Sequence, residues 1–339
     1  MQKHKLKYEK RFEFEAGGHI DGLELTYHTS EGKHQGRKVV WICHALTADS
    51  NPVAWWPDLA GPGKMFDTEK YFIVCVNMVG SCYGSSGPTS INPQTGAPYY
   101  FDFPKITVRD IVRALDIVRE RIGIEKIDLL IGASIGGFQA LEYSIMYPDI
   151  IKNAVYIATL GRITPWMTAF EESQRMALEA DPSFRACENI DGGKEGLKCA
   201  RSIALLSYRS EYGYNIKQKE ASDDVIFADK ASSYQRHQGE KLADRFDAYS
   251  YWYLSYSLDS QNIGRGRGGE EKALGMIKAA STVLAIDGDL IFPPEKMKKM
   301  AQAIPGAMYY EIRSDFGHDG FLLEKEQIEN IINPILKLI

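Results

Sequence analysis

Six short runs of apolar and β-branched residues recur along the 339-residue chain, each bounded by turn formers: RKVVWICHA (37–45), YFIVCVNMV (71–79), KIDLLIGAS (126–134), KNAVYIATL (152–160), STVLAIDGD (281–289) and AMYYEIRSD (307–315). A strand that is apolar at nearly every position has both faces covered, so these runs are expected to form strands inside a buried sheet. Segments of helical period lie between several of them, notably VRDIVRALDIVRERIG (108–123), IGGFQALEYSIMYP (135–148) and PEKMKKMAQAIP (294–305). Strands alternating with helices predict an α/β fold, a mostly parallel sheet with helices on both faces. FEFEAGGHIDGLELTYHT, two alternating runs around Gly17, Gly18 and Gly22, adds an antiparallel start.

The alternation stops between residues 162 and 275, where helical and loop segments such as TAFEESQRMALEADPSF and EGLKCARSIALLSYRSE take over. This predicts a core domain made of residues 1–161 and 276–339, with residues 162–275 as an inserted helical cap. The loop GRGRGGEE (264–271) would return the chain to the sheet.

Hydrophobic residues at 44% and charged residues at 25% allow a sizeable core and argue against extensive disorder. A net charge of -5, without a basic cluster, argues against a nucleic-acid partner. The five cysteines, at 43, 75, 82, 187 and 199, are scattered and lack CxxC spacing, so neither a disulfide framework nor a zinc site is expected and a reducing cytoplasm fits best. The N-terminus MQKHKLKYEKRFEFEAGG has no apolar stretch of signal-peptide type. No run approaches the roughly 18 apolar residues of a membrane helix.

IDLLIGASIGGFQALEYS sets a serine between glycines, Gly132 to Gly136, after an apolar strand and before a helix. That context predicts a sharp strand-to-helix turn with Ser134 exposed at its apex as a nucleophile, beside free N–H groups at the helix N-terminus. A serine hydroxyl needs a base, and the base a carboxylate to orient it. Asp289, after STVLAIDGD, and His318, in RSDFGHDGFLLE, follow in the order Ser, Asp, His of the α/β-hydrolase fold, each in a loop after a strand. Asp287 is the rival acid. His4, His19, His28 and His34 lie in polar N-terminal segments, His237 in the cap, and His44 ends a strand, where an anchoring role is the usual one. HALTADS (44–50) follows an early strand; its Leu46 N–H and that of Ile135 would form an oxyanion hole, with a plain surface turn as the equal alternative.

These residues carry a resemblance to the homoserine O-acetyltransferase family, α/β-hydrolase acyltransferases of methionine biosynthesis. It rests on HALTADS, on WWPDLAGPGKMFDTEKYFIVCVNMVGSCYGSSGPTSINPQTGAPYYFDFPKITVRDIVRA, on IGASIGGFQALEYSIMYPD, on YQRHQGEKLADRFDAYSYWYLSYSLD with GRGRGG, and on DGDLIFPPE and GHDGFLLE. The resemblance implies Ser134 as nucleophile, Asp289 as acid, His318 as base and the backbone of Leu46 and Ile135 as oxyanion donors. It further implies that Arg201 and Asp319 hold the amino-acid acceptor, a cation for its carboxylate and an anion for its ammonium. Acetyl-CoA and homoserine would be the substrates, in a double displacement through an acyl-serine, with no metal or other cofactor and with a homodimer as the assembly. Ala133 and Ile135 stand where the family usually has glycine and methionine, and ALLSYRSEYGYNI departs from the family's wording after the arginine. Succinyl-CoA as donor, serine or another alcohol as acceptor, and an esterase or thioesterase with the same triad stay open. A catalytically dead binding protein is disfavoured because Ser134, Asp289 and His318 are all present. Trp166, Phe170, Tyr208, Tyr249, Trp252 and Tyr253 make the cap the expected roof of a narrow tunnel, though most such rings serve cap packing.

Overall fold

The protein is described by a computed structural model covering residues 1–339. Eight strands form one sheet: β1 (Gln2–Glu13), β2 (His19–Thr29), β3 (Val39–Cys43), β4 (Phe72–Val76), β5 (Leu129–Ala133), β6 (Asn153–Ile157), β7 (Ala280–Ile286) and β8 (Met308–Ile312), in the order β1-β2-β4-β3-β5-β6-β7-β8. All pairings from β4 to β8 are parallel, and β2 joins antiparallel to both β1 and β4. Every residue of β3, β4 and β5 is buried, as their uninterrupted apolar sequences require.

The two outer strands depart from the sequence expectation. β1 starts ten residues before FEFE, because its charged positions face solvent along a sheet edge while Leu6, Tyr8 and Phe12 turn inward. β8 is an edge strand in which Met308, Tyr310 and Glu311 are exposed and Ile312 alone is fully buried.

The helices of the core are α1 (Pro52–Trp55), α2 (Val108–Arg121), α3 (Ile135–Met146), α11 (Pro294–Ala303), α12 (Gly320–Leu323) and α13 (Lys325–Leu338). Between β6 and β7 the chain adds no strand to the sheet and forms helices joined by loops: α4 (Pro165–Glu179), α5 (Pro182–Ala186), α6 (Lys194–Tyr208), α7 (Glu211–Lys217), α8 (Lys230–Ala243), α9 (Ala248–Asp259) and α10 (Glu270–Leu274). None of these helices is long and apolar enough to cross a membrane.

Strand order fixes where a ligand can bind. The chain passes from β3 to β4 on one side and then returns to place β5 on the other side of β3, so the loops leaving β3 and β5 diverge. Such a switch point opens a crevice at the carboxyl ends of the strands. Ser134 and the segment from His44 to Ser50 leave the sheet at this point.

The glycine-rich loop 264–269 is held by an ion-pair network. Glu142 of α3, 2% exposed, receives Arg109 of α2 (Nε to Oε1, 2.8 Å) and Arg267 (Nη2 to Oε1, 2.6 Å; Nη1 to Oε2, 2.9 Å). Glu15 receives Arg265 through both guanidinium nitrogens, and that partner holds the Glu15 carboxyl down to about 2. The loop that closes the helical insertion is thereby tied to the helix that follows the serine. Glu142→Ala leaves Arg267, largely buried, without a carboxylate, while Arg109 keeps Glu15 at 3.1 Å, and the change is expected to cost about 3 kcal/mol. Urea unfolding measures this; a loss below about 1 kcal/mol would mean that the network contributes no more than a surface pair.

Candidate active site

Ser134 has φ 58° and ψ -125°, a left-handed conformation that a side-chain-bearing residue adopts only under constraint. The constraint is visible on both sides. Ser134 N–H donates to Ile157 O (3.0 Å), while its carbonyl accepts from Gly137 N–H (2.9 Å), Phe138 N–H (3.1 Å) and Thr159 Oγ1 (3.1 Å). A Cβ on Gly132 would collide with the Gly136 carbonyl, and one on Gly136 would collide with the carbonyl of Cys43 at the end of β3. The G-x-S-x-G spacing therefore lets three backbone segments meet where larger residues would force them apart. This geometry lifts the serine to the apex between β5 and α3.

His318 and Asp289 arrive from the ends of β8 and β7. The His318 imidazole is 3% exposed, and its Nδ1 lies 2.7 Å from Asp289 Oδ2. A carboxylate in this position accepts, so Nδ1 carries the proton and Nε2 is left with its lone pair free. Asp289 is buried yet saturated: its other oxygen accepts from the N–H groups of Ile291 and Phe292, each at 2.9 Å. Asp287, the rival in sequence, is exposed and makes no bond to the imidazole. No hydrogen bond closes between Ser134 Oγ and His318 in this resting arrangement; such contacts often tighten only when substrate is bound.

The loop after β3 is rigid. His44 is fully buried, its Nε2 accepts from Met78 N–H (3.1 Å), its Nδ1 donates to Ala45 O (2.9 Å), and burial pushes its pKa down. It anchors the loop and cannot serve as base. Arg245, from the turn before α9, spans the loop from outside, donating to Thr47 O (2.5 Å) and Tyr83 Oη (2.7 Å). Between these anchors, Leu46 N–H takes part in no backbone hydrogen bond, and neither does Ile135 N–H at the first turn of α3. Two unpaired donors thus flank the switch point at the serine.

The cap reaches the histidine through α6. The Tyr208 ring lies 5.6 Å from His318, which also packs against Phe292 (5.3 Å) and Phe321 (5.4 Å). Arg201, two turns earlier on α6, sets its guanidinium 5.7 Å from the Tyr208 ring and has no ion-pair partner. Asp319, beside the histidine, does have one: Arg209 Nε lies 2.7 Å from its Oδ2. Tyr208 was among the aromatics that the sequence put forward as a roof, and its neighbour Arg209 in SYRSE and the distant Arg245 were not singled out there; only the place of Arg209 at the end of a cap helix hinted at a role. The other aromatic cap residues pack within the cap and against residues 101–103, as in Tyr253 Oη donating to the carbonyls of Phe101 (2.9 Å) and Phe103 (2.7 Å). Trp166 is exposed.

Behind Tyr208 lies a buried polar cluster. Tyr251 Oη donates to Gln174 Oε1 (2.5 Å), and Gln174 approaches Glu171, whose Oε2 has no hydrogen-bond partner. Burial pushes the Glu171 carboxyl up to about 8, against the pull of Arg175.

Comparison with known proteins gives this geometry a context. A family model described as the alpha/beta hydrolase fold matches residues 38–325. A homoserine O-acetyltransferase of Cyclobacterium marinum is 44% identical over 329 residues, covering 96% of this chain and 92% of its own. One from Chlorobaculum parvum is 39% identical over 324 residues, covering 94% and 90%. Among solved structures, the homoserine O-acetyltransferase from Bacillus anthracis superposes with a TM-score of 0.89 at 24% identity, covering 99% of this chain and 97% of that one. Esterase E22 superposes equally well, with a TM-score of 0.89 at 22% identity and 99% of both chains covered. The fold is therefore common to transferases and esterases.

The Glu171 carboxyl gives a pH signature. In the folded chain it keeps its proton up to about 8, whereas the unfolded chain releases it near about 4.3, so stability falls as pH rises between those values. Glu171→Gln has no proton to lose. Its melting temperature relative to wild type is expected to climb from about pH 5 to about pH 8 and then level off. A difference that stays constant with pH in thermal melts would show that the carboxyl ionises freely.

Proposed function

The chain belongs to the homoserine O-acetyltransferase family of α/β-hydrolase-fold enzymes, and from that premise we propose that it moves an acetyl group from acetyl-CoA to the hydroxyl of L-homoserine in methionine biosynthesis. The observation that carries this reading over hydrolysis is Arg201. A cation without an ion-pair partner, beside the ring that walls the catalytic histidine, suits the carboxylate of an amino-acid acceptor; water needs no such group.

The proposed mechanism is a double displacement. Free Nε2 of His318 takes the Ser134 proton, and the serine oxygen attacks the thioester carbonyl. The N–H groups of Leu46 and Ile135 receive the developing oxyanion, each contributing roughly 3–4 kcal/mol to the lowered barrier. Coenzyme A departs as a thiol, taking the proton from His318, and acetyl-Ser134 remains. Homoserine then binds with its carboxylate toward Arg201 and its ammonium toward Asp319. His318 removes its hydroxyl proton, and the acetyl group passes to that oxygen as Ser134 recovers its own. Asp289 holds the imidazole tautomer and stabilises the imidazolium in both halves. No group beyond these side chains is required, with acetyl-CoA as co-substrate. The five unpaired cysteines support placement in the cytoplasm.

The likeness to esterase E22 makes hydrolysis the reading to exclude. Sustained coenzyme A release from acetyl-CoA, beyond the first equivalent per active site, is expected to depend on homoserine, to be weaker with succinyl-CoA or with serine as acceptor, and to vanish in Ser134→Ala. Equal release without any acceptor would leave a thioesterase.

We also propose a homodimer. Leu206, Tyr212, Ile216, Ile226 and Phe227 expose apolar surface on the cap, more than a lone subunit needs to show to water. Sedimentation at micromolar concentration is expected to give twice the 38.1 kDa subunit mass, and Phe227→Glu with Ile226→Glu to give monomers; a monomeric wild type would overturn the assembly.

A further inference from the structure

The cap and the catalytic histidine meet along one seam. On the cap side it comprises Arg209 and Ser210, between α6 and α7, and Gly213 in the first turn of α7; on the core side it comprises residues 315–319, with His318 near its end. Before the histidine, Ser210 Oγ donates to the Asp315 carbonyl, and a Cβ on Gly213 would collide with that same carbonyl. At Gly317, whose φ is 59°, an added Cβ would lie 3.0 Å from Ser210 N. After the histidine, Arg209 Nε lies 2.7 Å from Asp319 Oδ2, with the two side chains 26% and 14% exposed.

This changes what Asp319 is. An isolated carboxylate in a short turn chooses among rotamers and meets the acceptor's ammonium only in some of them. Here one oxygen lies 2.7 Å from a cap guanidinium nitrogen that is buried and closes no hydrogen bond, so the restraint on Asp319 is one of charge, and it draws Oδ2 toward the cap. Arg201 and Arg209 sit on one helix and its cap, yet they differ in state: Arg201 has no ion-pair partner, while Arg209 is spent on a protein carboxylate.

We propose that Arg209 is a positioning residue for the second half-reaction, holding Asp319 where it receives the ammonium of a zwitterionic amino-acid acceptor. The role rests on the functional reading above. It belongs to the acceptor half alone, because the acyl donor has no ammonium for Asp319 to meet, and His318 keeps its own support from Asp289 and its three aromatic neighbours. Arg209 touches no reacting atom; it acts through Asp319.

The test separates the two half-reactions in the full-length enzyme. Acylation is read as the burst of coenzyme A release from acetyl-CoA without acceptor, and transfer as the homoserine KM. For Arg209→Gln the homoserine KM is expected to rise about tenfold, between the scales for exposed and buried ion pairs, while the burst rate stays within about twofold of wild type. Arg209→Lys keeps the charge on a differently shaped head group and is expected to recover part of the affinity, which also covers the case of a Gln variant that does not fold. Because both residues serve one interaction, Arg209→Gln with Asp319→Asn is expected to be no weaker in acceptor binding than Asp319→Asn alone. A burst rate that falls in step with transfer, an unchanged homoserine KM, or additive losses in the double variant would each overturn the proposal. Wild-type enzyme whose sustained coenzyme A release after the burst ignores homoserine would fail earlier and differently: it would remove the functional reading, and with it any acceptor for Asp319 to hold.

Discussion

A strained serine can be held at the apex of a turn only if the chain around it gives up its side chains. The left-handed backbone of Ser134 is tolerated because Gly132 and Gly136 let the end of β5, the first turn of α3 and the end of β3 come together without a Cβ between them. The cost of such a conformation, about 1–3 kcal/mol, is offset by four backbone and side-chain hydrogen bonds on one residue. The rest of the site is arranged around that point. The switch in strand order brings the Leu46 loop beside it, β7 and β8 deliver Asp289 and His318 to the same edge, and the network of Arg109, Glu142 and Arg267 fixes the helix on which the serine rests.

Much of this was legible along the chain because burial leaves a simple trace. The inner strands are apolar at every position, and the serine between glycines stands where a strand pattern gives way to a helix pattern. Asp289 and His318 could be singled out because each follows a strand, and the structure brings the two together at 2.7 Å. The parts that were not legible share a different physical basis. β1 is charged along its outer face, so its sequence resembles an exposed tail more than a strand; only pairing with β2 gives its alternation a meaning. The charges of GRGRGGEE announced a loop, but their partners Glu15 and Glu142 lie far away in the chain. Arg209 and Asp319 are an ion pair between cap and core, and no local pattern encodes such a pair. Arg201 entered through family resemblance alone; its lack of an ion-pair partner became visible in three dimensions.

Transfer and hydrolysis use one set of catalytic groups, so the distinction has to lie in what stands over them. Esterase E22 matches this fold as well as a homoserine O-acetyltransferase does. What the cap adds is a wall of Tyr208 against the imidazole, a guanidinium without an ion-pair partner at Arg201, and a second guanidinium, Arg209, 2.7 Å from Asp319 of the core. Charges at both ends of an amino-acid acceptor favour its hydroxyl over water by positioning rather than by altered chemistry, and positioning alone supplies large effective concentrations. In this account the core provides acyl chemistry and the cap provides the acceptor's identity.

The central claim is that one acyl-Ser134 intermediate stands between donor and acceptor. Intact-mass spectrometry of enzyme mixed rapidly with acetyl-CoA tests it most directly, followed by peptide mapping and a chase with either homoserine or buffer. The account predicts one added acetyl group per chain, located on Ser134, that homoserine discharges much faster than water does. An unmodified enzyme that nevertheless forms O-acetylhomoserine, an acetyl group on another residue, or equal discharge by buffer and by homoserine would contradict it.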